Sequence, residues 1–182
     1  MKTPPVDRER IRIRAGLRPG DIGYITHLHG ILYAEEYHYD TTFDGYVALG
    51  MGEFAKAYNP DKDCLWVAEA DGQIVGSIAI VGRPGGEAQL RWFLVHPAVR
   101  GQGWGRALLE EALRFCREKG FRSVFLWTVG NLEAAVHLYR SAGFERTEQQ
   151  THHIWGQVLT EERYDLSLRG ADQDGASQEE ST

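Results

Sequence analysis

The chain has 182 residues, 42% of them apolar and 11% aromatic, which is enough for one full hydrophobic core and points to one domain. A net charge of -6 argues against nucleic acid, whose binding calls for a basic patch or stripe. No apolar run reaches the roughly 18 residues of a membrane span, and MKTPPVDRER carries no apolar signal region, so a soluble cytoplasmic protein is expected.

Residues 1–10 form a short N-terminal extension. Ile11 and Ile13 then alternate with Arg12 and Arg14, the period of a half-exposed strand. Pro19 to Asp21 opens a helix carrying Ile22, Ile25, Leu28, Ile31 and Leu32, and a second helix is expected from Phe43 to Tyr58. The two are read as a movable cover. LWVAEADGQIVGSIAIVG predicts a hairpin turning at Asp71 and Gly72, and a third strand runs from about Ala88 to Val95. After a glycine-rich junction, Leu108, Leu109, Ala112, Leu113 and Cys116 recur at helical spacing up to Gly120. Val124 to Trp127 reads as a strand buried on both faces, reached by a crossover that makes it parallel to the strand before the junction. A helix from about Leu132 to Ser141 and strands near Arg146–Trp155 and Glu161–Leu168 complete the domain, residues 11–168.

The last 14 residues, 169–182, have no apolar side chain larger than alanine and are expected to be disordered. There Arg169 against Asp172, Asp174, Glu179 and Glu180 accounts for half of the net charge. Cys64 and Cys116 have no metal or redox spacing. His152 and His153 would point to opposite faces of a strand, and His27 and His29 would diverge on a helix, so no metal site is expected.

The junction reads RGQGWG, from Arg100 to Gly105, at the passage from strand to helix. Alternating glycines there leave backbone N–H groups unshielded, which is what a phosphate or pyrophosphate requires. A Walker loop would need Lys and Ser or Thr after Gly105, where Arg106 and Ala107 stand, and a dinucleotide fingerprint would need G-x-G-x-x-G. What fits is R-x-x-G-x-G, which resembles the acetyl-CoA pyrophosphate loop of the GNAT N-acetyltransferases. The likeness runs from about Ile11 to Leu168, and AAVHLYRSAGF matches the family's A-x-x-L-Y-x-x-x-G-F. Through QLRWFLVHP, FLWTV and HIWGQVLTEERYDL the chain is most similar to the acetyltransferase half of regulators that fuse a MarR-type DNA-binding domain to a GNAT domain. Residues 1–10 are too few for the winged helix of such a fusion.

The resemblance implies an α/β fold: the GNAT acyl-CoA N-acyltransferase fold, a mixed, mostly antiparallel sheet flanked by helices, with a splayed parallel strand pair holding pantetheine. It implies acetyl-CoA as cosubstrate, no metal, and acetyl transfer to a primary amine, small or peptidic, by direct attack in a ternary complex. Backbone groups of Phe93, Leu94 and Val95 would pair with pantetheine. Arg100, Gly101, Gln102, Gly103, Trp104, Gly105 and Arg106 would hold the pyrophosphate. Tyr139 would donate a proton to the departing thiolate, where periodicity alone makes it a core tyrosine. Asn131 stands one residue before the family's usual asparagine slot, and either contacts CoA or caps the next helix.

The amine must lose a proton before attack. Glu87, on the strand leading to the loop, is either that base or a solvated turn residue, and Gln89 beside it cannot titrate. Tyr33, Glu35, Glu36, Tyr37, His38, Tyr39 and Asp40 mix acids and aromatics as a cationic amine would need, or form an exposed polar loop; Trp155 would border the same pocket. Two function classes stay open: an N-acetyltransferase, and an acyl-CoA-binding sensor or interaction domain without turnover. The oligomeric state is open too, a homodimer included.

Overall fold

The computed structural model describes residues 11–168; the N-terminal extension and the tail, for which disorder was expected, lie outside the described residues. In chain order the elements are β1 (Ile11–Ala15), α1 (Asp21–Tyr37), α2 (Thr41–Ala57), β2 (Cys64–Ala70), β3 (Gln73–Arg83), β4 (Glu87–Val95), α3 (Trp104–Glu118), β5 (Ser123–Val129), α4 (Glu133–Ser141), β6 (Glu145–Ile154) and β7 (Gln157–Ser167). One 7-stranded sheet runs β1-β2-β3-β4-β5-β7-β6. Every pairing is antiparallel except that of β4 with β5. No helix among the described residues is long and apolar enough to cross a membrane.

Each face of the sheet carries its own core. On one face Leu108, Leu109, Ala112, Leu113 and Cys116, the helical stripe of α3, pack with Ala88, Leu90, Val124 and Leu126. On the other, Ile25, Leu28 and Leu32 of α1 and Phe43, Val47, Met51 and Phe54 of α2 pack on Leu65, Val67 and Ala79. All seven helix side chains are at most 6% exposed. The two helices expected to form a cover are thus packed on the sheet, with burial of that order worth roughly 1.5–3 kcal/mol per large side chain.

Two irregularities shape the sheet where the site lies. Trp92 has φ 47, and the β3–β4 register slips there, from Ser77↔Leu94 to Ala79↔Arg91. The buried Ser77 hydroxyl donates to the Trp92 carbonyl at 2.8 Å and pins the bulge. Because two residues now oppose one, the facing of side chains changes along β4. Ala88 and Leu90 join the α3 core, Trp92 and Leu94 join the α1–α2 core, and Phe93 and Val95 lie against the α3 side. Secondly, β4 and β5 pair only from Glu87↔Ser123 to Gln89↔Phe125, and beyond that register they part.

The parting also corrects the reading of β5 as buried on both faces. Its burial alternates: Val124 and Leu126 are buried while Phe125 and Trp127 are half-buried, with the Arg163 guanidinium 4.3 Å over the Phe125 ring. Likewise β7 starts at Gln157, not Glu161. Trp155 (φ 50) and Gly156 (φ 79) form a tight turn that lengthens the β6–β7 hairpin.

Candidate active site

Where β4 and β5 separate, a groove of about 370 Å³ opens on the α3–α4 side. Its walls are Phe93, Leu94 and Val95 of β4, the loop from Arg100, the start of α3, the α4 side chains Ala134, Ala135 and Leu138, and, closing it from α1, Leu32, Tyr33, Glu36 and Tyr37. Gly101 has φ 74, and Gly103, the N-cap of α3, has φ 88, a region open to glycine at little cost. No side chain caps α3, so its first-turn N–H groups have no partner within the helix and face the groove's end with the positive pole of the helix dipole. A Cβ at Gly105 would sit 3.5 Å from each of Leu138, Phe93 and Val95, so glycine there keeps the groove open.

Of the residues expected to hold the cofactor, Phe93, Leu94, Val95, Arg100, Gly101, Gly103, Gly105 and Arg106 line this groove. Gln102 and Trp104 do not: Gln102 donates to the Ala98 carbonyl at 3.3 Å, and Trp104 is half-buried against the α3 core. Asn131 is exposed, outside the groove, and does not cap α4, whose N-cap is Leu132. It approaches Tyr39 instead, whose hydroxyl burial pushes up to about 12 while Asn131 acts in the opposite sense.

Arg100 is held by its neighbours. Its Nη1 and Nη2 meet Glu36 at 2.7 and 2.9 Å, and its Nε donates to the Val95 carbonyl at 2.9 Å. Pairs this exposed are worth about 0–1 kcal/mol, so the pair locates the guanidinium more than it stabilises the fold. Glu36→Gln should release its charge toward a bound anion. The expected result is CoA affinity raised about two- to fivefold at low salt, an advantage that fades as salt is added, measured by calorimetry at two ionic strengths.

Beside the groove, under α1 and α2, lies a cavity of about 110 Å³. Tyr33 and Phe93 line both spaces. Groove and cavity are therefore neighbours that share part of one wall, next to the bulge in β4 and the gap beside β5. Tyr139 of α4 reaches the cavity, 5% exposed, its ring centroid 5.9 Å from that of Phe93. Burial holds its phenol far above the ordinary tyrosine range, so the hydroxyl stays protonated.

The acidic mouth anticipated at the end of α1 is not realised. Glu36 is engaged by Arg100, Asp40 caps α2 by accepting from the Thr42 N–H at 2.9 Å, and Glu35 lines neither space. The aromatics of that segment behave differently: Tyr33 stacks on Phe43, Tyr39 meets Phe43 edge-on, and Trp155 borders the cavity as expected. Glu87 lines neither space, whereas Gln89 reaches the cavity and accepts from Arg83 Nε at 3.0 Å. Residues that reading the sequence did not nominate complete the cavity: His29, Arg91, Trp127 and Glu161.

His29 is 3% exposed, and its Nδ1–H donates to the Ile25 carbonyl at 2.9 Å. Desolvation lowers its pKa from 6.5 to about 4. The unfolded chain therefore binds the extra proton first, and stability present above pH 6.5 is lost as pH falls toward 4. Urea unfolding should show about 3 kcal/mol of this loss in wild type absent from a folded His29→Gln protein. No cluster of three His, Cys, Asp or Glu suited to a metal occurs among the described residues.

The model of the acetyltransferase (GNAT) family matches residues 25–144, from α1 to the turn after α4. The chain belongs to that family. This GNAT domain is 33% identical over 117 residues to N-acetyltransferase 8B of Homo sapiens, 60% of this chain and 51% of that one. It is 39% identical over 103 residues to N-acetyltransferase 8 of Rattus norvegicus, 53% and 46% of the two chains. The chain thus spans about half the length of these curated relatives. Among solved structures, a GNAT-family acetyltransferase from Staphylococcus aureus Mu50 superposes with a TM-score of 0.72 at 17% identity, covering 87% of this chain and 99% of that one. An acetyltransferase from Salmonella typhimurium, solved with its cofactor acetyl-CoA, superposes with a TM-score of 0.68 at 20% identity, covering 91% and 98%. The fold expected from the glycine loop and the L-Y-x-x-x-G-F segment is the one found.

Proposed function

We propose that the chain is an acetyl-CoA-dependent N-acetyltransferase that moves acetyl to a primary amine, small or peptidic, by direct attack in a ternary complex. The observation that carries this reading is the adjacency of groove and cavity, which share Tyr33 and Phe93. In this reading acetyl-CoA occupies the groove and the amine the cavity, and the two meet near where β4 and β5 part. The unshielded amides at the start of α3 suit a pyrophosphate, and Gly105 leaves the groove clear beside them. Acetyl-CoA, when bound, supplies an activated thioester carbonyl. The chain's residues align the two reactants, an effect worth roughly 7 to 11 kcal/mol where alignment is good.

In this reading Tyr139, which lines the cavity and is kept protonated by burial, gives its hydroxyl proton to the leaving sulfur. Neither cysteine takes part: Cys64 and Cys116 are buried, and burial pushes the Cys116 thiol up to about 12, which removes it as a nucleophile. Aromatic walls from Tyr33, Phe43, Tyr46, Trp127 and Trp155 suit an acceptor with an apolar body. The likeness to the acetyltransferase half of MarR–GNAT regulators bears on biological setting, and the cytoplasm fits the chain's composition. The experiment is thiol release from acetyl-CoA with a panel of amines, followed by mass spectrometry of the acceptor. Amine-dependent release with acetylated product is expected. Tight CoA binding without product from any amine would favour the sensor reading.

A further inference from the structure

The proposed reaction needs a group to take the amine's proton, and the residue that the family likeness suggested, Glu87, lines neither space. Glu161 is the one carboxylate that lines the cavity among the described residues. It stands on β7 opposite Val129, beyond the point where β4 and β5 part, and its side chain is 24% exposed. One of its oxygens lies 2.6 Å from Nε2 of His152 on β6, a ring 38% exposed to solvent. The cavity's other charged or titratable side chains cannot do the same work. Arg91 is cationic, His29 is buried and neutral, and Tyr33 and Tyr139 are held protonated by burial. Tyr46, on α2, donates nothing to Glu161 and accepts from Arg91 at 3.3 Å; Tyr39, just outside, feels the Glu161 charge.

We infer that Glu161 is the general base of acetyl transfer and that His152 is its outlet to solvent; this rests on the acetyltransferase reading above. The ammonium acceptor gives one proton to the Glu161 carboxylate, which passes it to Nε2 of His152 and so to water. The freed amine lone pair forms the N–C bond, the C–S bond breaks, and its electron pair leaves on sulfur. Tyr139 protonates that sulfur and is refilled by the second proton that nitrogen sheds. The products are the N-acetyl amine, CoA thiol and one proton released. A carboxylate next to an imidazole is a fitting base because the pair can shed its proton to bulk water between turnovers.

The test compares wild type and Glu161→Gln with two acceptors: an alkylamine, cationic at neutral pH, and hydroxylamine, which is already largely neutral there. Glu161→Gln keeps shape and can still hydrogen-bond His152 through either its amide oxygen or its amide nitrogen, so folding and CoA affinity, checked by circular dichroism and calorimetry, should hold. Turnover of the alkylamine should fall roughly 10²- to 10⁴-fold and that of hydroxylamine about tenfold or less. The acidic limb of the kcat/KM profile should disappear with it, and His152→Gln should shift that limb with a smaller loss. Equal losses for both acceptors, or an unchanged acidic limb, would make Glu161 a structural residue and overturn the inference. Wild-type turnover retained in Glu161→Gln would overturn it while leaving the acetyltransferase reading intact. If wild type acetylates neither acceptor nor any amine of the panel, that reading fails and the inference with it.

Discussion

Tyr139→Phe should lower turnover by about 10²-fold, the low end of the range for a lost general acid, with folding and CoA affinity nearly unchanged. Tyr139 lines the cavity, and no hydrogen bond to a described residue holds its hydroxyl. The ring's packing against Phe93, Phe144 and Tyr164 survives the change. Thiolate is a fair leaving group, so the proton helps without being indispensable. Burial also makes the phenol a weak acid, so its proton moves to sulfur only as the acceptor nitrogen replaces it. A solvent isotope effect on kcat in wild type that shrinks in the variant would mark the hydroxyl's proton as moving. Wild-type turnover in Tyr139→Phe would return the residue to the core, where its helical spacing alone had put it.

Gly105→Leu should abolish CoA binding in a folded protein, with affinity lowered at least about 100-fold, roughly 2.7 kcal/mol. Leucine is favoured over glycine inside a helix by nearly 1 kcal/mol, and its Cβ would meet three apolar groups at ordinary contact distance. The rest of its side chain then fills the space between Leu138 and β4. Gly103 is a poorer place for this experiment. At φ 88 a branched side chain is strained whatever the space around it, so lost binding would be confounded with lost structure. A melting temperature at or above that of wild type, together with no calorimetric heat on adding CoA, is the expected pair of results for Gly105→Leu.

The fold was legible because its local signals agree. Asp71-Gly72 turns the hairpin, Leu108 to Cys116 bury one stripe, Gly120 and Gly143 end helices, and the glycine loop sits where a strand hands over to a helix. The groove followed from that loop, since backbone groups on consecutive residues build it. The cavity did not, because its wall comes from α1, α2, β4, β5 and β7 at once. Glu161 shows why. Placing the start of its strand at Glu161 hid the alternation from Leu159 through Glu161, which carries both side chains to the α1–α2 face, and no local pattern announces a neighbour two strands away. Arg91 was hidden by the bulge at Trp92, which breaks strict alternation on β4. The acids of the 33–40 segment misled for a third reason. Glu36 and Asp40 are acidic by sequence, yet an arginine from the loop and a helix N-terminus consume them.

The central claim is that CoA lies along β4 with its pyrophosphate on the amides that open α3. An amide chemical-shift titration with CoA on the 15N-labelled chain tests it residue by residue. The largest shifts are expected at Gly101, Gly103, Gly105 and Arg106, with a second set at Leu94, Val95 and Leu138. Shifts confined to the shallow cleft between α3 and α4 around Leu113 and Ser141, or none at saturating CoA, would contradict it.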